Sequence, residues 1–217
     1  MPAPGRAGDL TIAARMPASG DPPGAVACKF DADMVIRDVN DFVDGYEHEA
    51  QLKGTITFGK FEDDAPATFT MDDAASRFHY LRVNTATGEA EMRYHIEFVS
   101  STGRRYALDG TKYMQKDPDA PNAIRDLLGD YTTLYTRVTE LLPGGAQRDL
   151  GTALLKFRTF EDLAAAANLA GFLASFQVTG TGDPAVQLQA RLRFLAFTAQ
   201  FVQREYDPLV MAVGGQP

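Results

Sequence analysis

Lys112 lies in the run Tyr-Ala-Leu-Asp-Gly-Thr-Lys-Tyr-Met (106–114), where alternation puts it on one side with Tyr106, Leu108, Gly110 and Met114. A lysine on an apolar side needs a carboxylate partner or a depressed pKa, because burying an unpaired ammonium is costly. Asp130 is the candidate partner, and it stands just before a second polar run, Tyr-Thr-Thr-Leu-Tyr-Thr-Arg-Val (131–138). In that run Tyr131, Thr133, Tyr135 and Arg137 share one side, and Thr132, Leu134, Thr136 and Val138 share the other. The second set reads as core. If a pocket exists, its wall is expected to carry Tyr94, Tyr106, Lys112, Tyr135 and Arg137, with Asp130 orienting Lys112. The competing reading is an Asp130–Lys112 ion pair that clamps two strands, or an edge lysine that snorkels, with no chemistry in either case. In a third, Lys112 or a tyrosine acts as acid or base.

Other chemistries fare worse. His48, His79 and His95 are the only histidines, and none has a Cys, His or carboxylate at metal-ligand spacing. His95, between Arg93 and Glu97, is expected on a solvated face. Gly-Thr-Gly-Asp-Pro-Ala (180–185) matches a loose dinucleotide pattern. However, Asp183 places a carboxylate where a pyrophosphate would dock, and Pro184 removes an amide that should donate to it. The acids at 31, 33, 38, 41 and 44 miss the EF-hand register, because Phe42 falls at a ligand position. There is no G-x-S-x-G elbow, P-loop or H-E-x-x-H. No cofactor and no metal are expected.

Composition narrows the class. A chain of 217 residues with 45% hydrophobic side chains supports one substantial core. A formal net charge of -8 argues against nucleic-acid and anionic-membrane partners. No apolar run reaches the roughly 18 to 20 residues of a bilayer helix, so the expectation is a soluble chain. Cys28 is the single cysteine, in an alternating run that marks it as buried, and the expected location is cytoplasmic. Residues 1–24, rich in Pro, Gly, Ala and Asp, are expected to be a disordered leader before one domain over 25–217.

The elements that must position Lys112 and its neighbours are mostly strands. Alternation over 25–36, 52–58, 67–71, 78–83, 91–99, 104–114, 131–138 and 152–157 predicts seven or eight of them. The 91–99 and 104–114 runs form the clearest hairpin, through Ser-Ser-Thr-Gly. Short helical stretches are expected within 38–49 and near 123–128. Two longer helices are expected at the end. The first, near 159–173, has a weak capping box at Thr159 and Asp162, and a brief extended piece (176–180) follows it. The second is capped by Asp183 and Pro184 and runs to about Tyr206. Its apolar stripe combines Leu188, Leu192, Leu195, Ala199 and Val202 with Phe194, Phe197 and Phe201. The fold class is therefore mainly β, an antiparallel meander closed as a barrel or folded as a sandwich, with C-terminal helices packed on it.

The order of these motifs resembles a known family. Leu-Lys-Gly-Thr-Ile-Thr-Phe (52–58), the 92–114 hairpin with Gly110 and Lys112, Asp130 to Thr136, and the Phe-rich final helix are similar to the accessory domain of cholesterol-oxidase-like glucose-methanol-choline flavoenzymes. The likeness spans roughly residues 25 to 209. It implies a non-catalytic companion of sterol or lipid oxidation, which binds an apolar ligand or docks a separately encoded lipid-modifying oxidoreductase or hydrolase. The flavin-binding half of such enzymes has no counterpart in these residues. Two alternatives stand beside it, a cofactor-independent isomerase or cyclase working in a β-barrel cavity and a purely structural partner-binding domain.

Overall fold

The computed structural model describes residues 11–13, 25–62, 65–117, 126–127, 129–130, 133–156 and 176–206. In chain order the elements are β1 (Thr11–Ala13), β2 (Ala25–Val35), α1 (Val39–Asp44), β3 (Glu49–Phe61), β4 (Ala65–Thr70), β5 (Arg77–Val83), β6 (Ala90–Val99), β7 (Arg105–Met114), β8 (Thr133–Leu141), β9 (Gln147–Lys156) and α2 (Pro184–Tyr206). The strands form one sheet in the order β2-β1-β9-β8-β7-β6-β5-β3-β4. The sheet curls until β2 also pairs with β3, from Cys28↔Phe58 to Val35↔Gln51. All pairings are antiparallel except those of β1, which lies parallel to both β2 and β9. The expected meander is thus present as a curled, barrel-like sheet with a C-terminal helix packed against it. Thr11–Ala13 fall within the stretch expected to be a leader, yet they take part in the sheet.

The β6–β7 hairpin follows its alternation in full register, from Ala90↔Met114 to Val99↔Arg105. Its turn is closed by the Gly103 amide donating to the Ser100 carbonyl at 3.0 Å. β5 departs from strict alternation. His79 faces Arg93 while Arg82 faces Glu91, so one extra residue sits in β5 and Leu81 adopts φ 52. This bulge turns both Tyr80 and Leu81 inward, at 5% and 1% exposure.

Gly54 marks a close approach of β3 to β2. Its φ is +152, and a Cβ there would lie 2.0 Å from the Asp31 carbonyl oxygen of β2. Only glycine fits.

Aromatic rings fill the concave side in three groups along the strand direction. Phe58, Phe61, Phe69, Phe98 and Tyr106 pack at the Arg105 end of β7, with centroids such as Phe58–Phe61 at 4.6 Å and Phe61–Tyr106 at 4.8 Å. Phe30, Phe78 and Tyr94 occupy the middle. Phe42 and Tyr80 meet Phe194 and Phe197 of α2 at the other end. The Asp38 side chain caps α1 by accepting from the Asn40 and Asp41 amides at 2.7 and 3.1 Å. α2 starts in the same way, with Asp183 accepting from the Ala185 amide at 2.9 Å.

The α2 stripe resolves into two faces. Phe194, Phe201 and Tyr206 are buried, whereas Leu188 and Leu192 are more than half exposed and Ala199 also faces outward. The helix therefore docks through its aromatic residues and not through its leucine series. β9 begins five residues earlier than its alternation indicated, because Gln147-Arg-Asp-Leu-Gly pairs with β8 despite its polar sequence. Residues 176–180 form no strand. The helix expected at 159–173 lies outside the described residues, as do most of 123–128 and the pair 131–132. Among the described residues, no helix is long and apolar enough to cross a membrane.

Candidate functional site

Gly110 governs the interior around Lys112. A Cβ on it would stand 2.8 Å from Leu134 Cδ1 and 2.9 Å from Thr136 Cγ2, so side chains of β8 already occupy that space. Across the β6–β7 ladder Gly110 faces Tyr94, whose ring lies 4.3 Å from Phe78 and 5.9 Å from Phe30, centroid to centroid. Lys112 Nζ sits 5.4 Å from the Tyr94 ring centroid, a cation set over an aromatic ring. Lys112 is 4% exposed, and burial lowers its pKa from the ordinary lysine value to about 7, because desolvation penalises the ammonium form. Burial also pushes the Tyr94 hydroxyl well above the usual tyrosine range.

Tyr106 belongs elsewhere. It is six residues from Lys112 on an extended strand, about 20 Å away. Tyr106 Oη donates to Glu62 Oε1 at 2.5 Å, and Ser100 Oγ and Thr102 Oγ1 donate to the same carboxylate at 3.0 Å. Burial, then the Glu62 contact, raises the Tyr106 pKa to about 12. For Glu62, burial works upward, but the hydrogen bonds from Tyr106, Ser100 and Thr102 and the charge of Arg104 bring its pKa below the ordinary value. This network seals one end of the aromatic core.

Tyr135 and Arg137 face the other way. Thr111 is the β7 residue opposite Tyr135, so alternation sends Tyr135 to the outer face while Lys112 points inward. Tyr135 is 50% exposed, and Arg137 Nη2 donates to Asp149 Oδ2 at 2.6 Å on the solvent side. The expectation that these two share a wall with Lys112 is corrected by the β7–β8 register. Leu134, Thr136 and Val138 of β8 are buried, as expected for the core set, whose fourth member, Thr132, lies outside the described residues.

On the outer face Tyr135 meets Tyr113, diagonally across the β7–β8 pair, with centroids 6.2 Å apart and planes inclined by 50°. Both rings are half exposed. Together with Gly129, Asp130 and Thr133 they line an open cleft of about 280 Å³. Asp130 receives two hydrogen bonds on Oδ2, from Tyr206 Oη at 2.7 Å and from the Gln115 amide at 3.2 Å. Burial raises its pKa above the ordinary aspartate value, the two donors oppose this, and the charges of Asp126 and Asp117 add to it. The clamp at this corner of the fold is thus Asp130 with Tyr206, the last residue of α2.

Of the six expected site residues, Tyr94 and Lys112 meet inside, Asp130 and Tyr135 share the outer cleft, Arg137 lies farther along that face, and Tyr106 closes the distant end. Sequence reading missed Tyr113, Tyr206 and Glu62. Tyr113 was within reach, since alternation sets it on the face opposite Lys112, but its meeting with Tyr135 depends on a register that only the paired strands reveal.

A second groove, wider and shallower, is bordered by Ala67–Thr70 of β4, Asp72 and Val99–Ser101. The outer face of β5 to β9 carries a lattice of charge pairs. In it His95 Nδ1 donates to Asp109 Oδ1 at 2.6 Å, and Arg105 Nη2 donates to Glu97 Oε2 at 2.6 Å. Among the described residues no cluster of three or more His, Cys, Asp or Glu is arranged to hold a metal ion.

These features define a mainly antiparallel β domain with an aromatic-filled concave side and an open cleft on its convex side. Comparison with protein-family models, with curated proteins and with solved structures finds no match for this chain.

Proposed function

We propose that this chain is a non-catalytic binding domain that takes its ligand or partner on the outer face of the sheet, at the Tyr113–Tyr135–Asp130 cleft. One observation carries the reading. The concave side is occupied by the chain's own rings and aliphatic groups, with Ile56, Phe58, Ile96, Phe98, Leu108, Met114 and Leu134 all at 1% exposure or less. The setting, as accessory to a separately encoded enzyme of lipid or sterol oxidation, follows from the sequence resemblance alone.

Native mass spectrometry of the purified chain, with and without added sterol, tests this reading. The expected result is the mass of the polypeptide without stoichiometric lipid. A lipid that is retained by wild type and by Tyr135→Leu, but lost in Lys112→Ala, would put the ligand inside the sheet and overturn the outer-face reading.

One observation favours a second reading, a cofactor-independent isomerase or cyclase. It is the buried Lys112 amine, whose pKa of about 7 suits proton transfer near neutrality. Measurable turnover of a ketosteroid that vanishes in Lys112→Ala would establish it, and a rate at background for wild type would eliminate it for that substrate class.

A further inference from the structure

The strongest unassigned feature is the chemistry of the outer cleft itself. Two half-exposed tyrosine rings, inclined to each other by 50°, line it together with a carboxylate and a threonine. The electron-rich faces of such rings attract cations. Asp130 adds an acceptor. Both of its hydrogen bonds fall on Oδ2, and Oδ1 accepts none among the described residues. Asp117 and Asp126 act on Asp130 in the direction of like-charge repulsion, and the Asp126 carboxylate itself accepts from the Asp117 amide at 2.7 Å. A bound cation would relieve that repulsion. Arg137, the basic side chain two residues along the same face, is engaged with Asp149 at 2.6 Å.

We infer that the Tyr113–Tyr135–Asp130–Thr133 cleft binds a cationic nitrogen, an alkylammonium head group presented either by a small molecule or by a lysine side chain of a peptide. The inference rests on the outer-face reading above and gives it a ligand class. Size agrees with the assignment. At about 280 Å³ and open on one side, the cleft accepts a head group of a few heavy atoms. It falls just below the roughly 300 Å³ at which drug-sized pockets begin.

The full chain, titrated with tetramethylammonium chloride and separately with N-acetyl-lysine amide, tests the site. The readout is the backbone amide shifts of Gly129 and Thr133 in ¹⁵N–¹H NMR, and sodium chloride at matched ionic strength is the reference. Saturable shifts are expected with at least one of the two cations and not with sodium. Tyr113→Leu and Tyr135→Leu should each weaken binding about two- to fivefold, the range for a cation over an exposed aromatic face. Asp130→Asn should weaken the lysine compound more than tetramethylammonium, because only a primary ammonium donates a hydrogen bond to the carboxylate. Tighter binding of the lysine compound identifies a peptide-type source, and tighter binding of tetramethylammonium identifies a quaternary amine. Both tyrosines are half exposed, so the variants should keep the wild-type far-UV circular dichroism spectrum. Shifts equal to those caused by sodium, or shifts that survive in the Tyr113→Leu/Tyr135→Leu double variant, would overturn the assignment. Lipid retention in mass spectrometry bears on the outer-face reading alone, so the two failures are distinguishable.

Discussion

Tyr206 Oη donates to Asp130 Oδ2 at 2.7 Å, joining the last residue of α2 to the segment before β8 across 76 residues of sequence. Tyr206 is fully buried, and burial together with the carboxylate drives its hydroxyl pKa far above the ordinary value, so it acts purely as a donor. Removing the donor in Tyr206→Phe should cost about 1–3 kcal/mol, the range for a hydrogen bond to a charged or buried acceptor. The fall should appear as a lower urea midpoint at unchanged m-value.

Lys112 links stability to pH. Its folded pKa of about 7 lies below the ordinary 10.5, so the unfolded chain holds the extra proton between these values. The stabilising contribution is full above the unfolded value and is lost as pH falls through the folded one. Urea unfolding at pH 7, 8 and 9 should therefore show stability rising with pH. Lys112→Met should flatten that rise. An equal slope in the two proteins would mean that Lys112 keeps its ordinary pKa when folded.

His95 should work in the opposite sense, and weakly. Its hydrogen bond to Asp109 raises its pKa, burial opposes this, and Glu97 adds to the rise. Its contribution is then present below the unfolded value and lost as pH rises through the folded one. The side chain is 37% exposed. His95→Gln should accordingly cost less than about 1 kcal/mol at pH 5, as a solvent-screened pair does, and almost nothing at pH 8. Thermal unfolding of both proteins at the two pH values checks this.

Gly54 is a position where a side chain has no room. At φ +152 with the Asp31 carbonyl oxygen 2.0 Å from a built Cβ, Gly54→Ala must move β2 or β3. The expected loss exceeds about 2 kcal/mol. Gly88, also at positive φ but with open space around it, should give a smaller loss when changed to Ala. Chemical denaturation of both variants ranks them.

Strands were legible where one side of the alternation was apolar without interruption, as in β6 and β7. β9 was underestimated because Arg148 and Asp149 face solvent and only the pairing with Glu140 and Thr139 reveals them as strand. The α2 stripe misled because leucines and phenylalanines both recur at helical spacing. What separated them was the ring-lined end of the sheet, where Phe42 and Tyr80 offer flat partners for Phe194 and Phe197. For the site, residue chemistry singled out Lys112, Asp130 and Tyr135, but which of them meet depends on register. Alternation says that Tyr135 and Leu134 oppose one another. It does not say that Thr111 is the β7 residue facing Tyr135, and that single fact sends Tyr135 to the side away from Lys112.

The extra residue in β5 has a consequence for how the chain avoids errors. Sliding β5 by one position against β6 would turn its alternating side chains over. Because the bulge sets Tyr80 and Leu81 inward side by side, no slipped pairing buries both. Tyr80 is committed further by a 3.2 Å hydrogen bond to Thr198 and by the ring of Phe194. The bulge thus works as a key that fits one alignment, and it discourages β5 from pairing out of frame with a neighbouring copy while the chain is still folding.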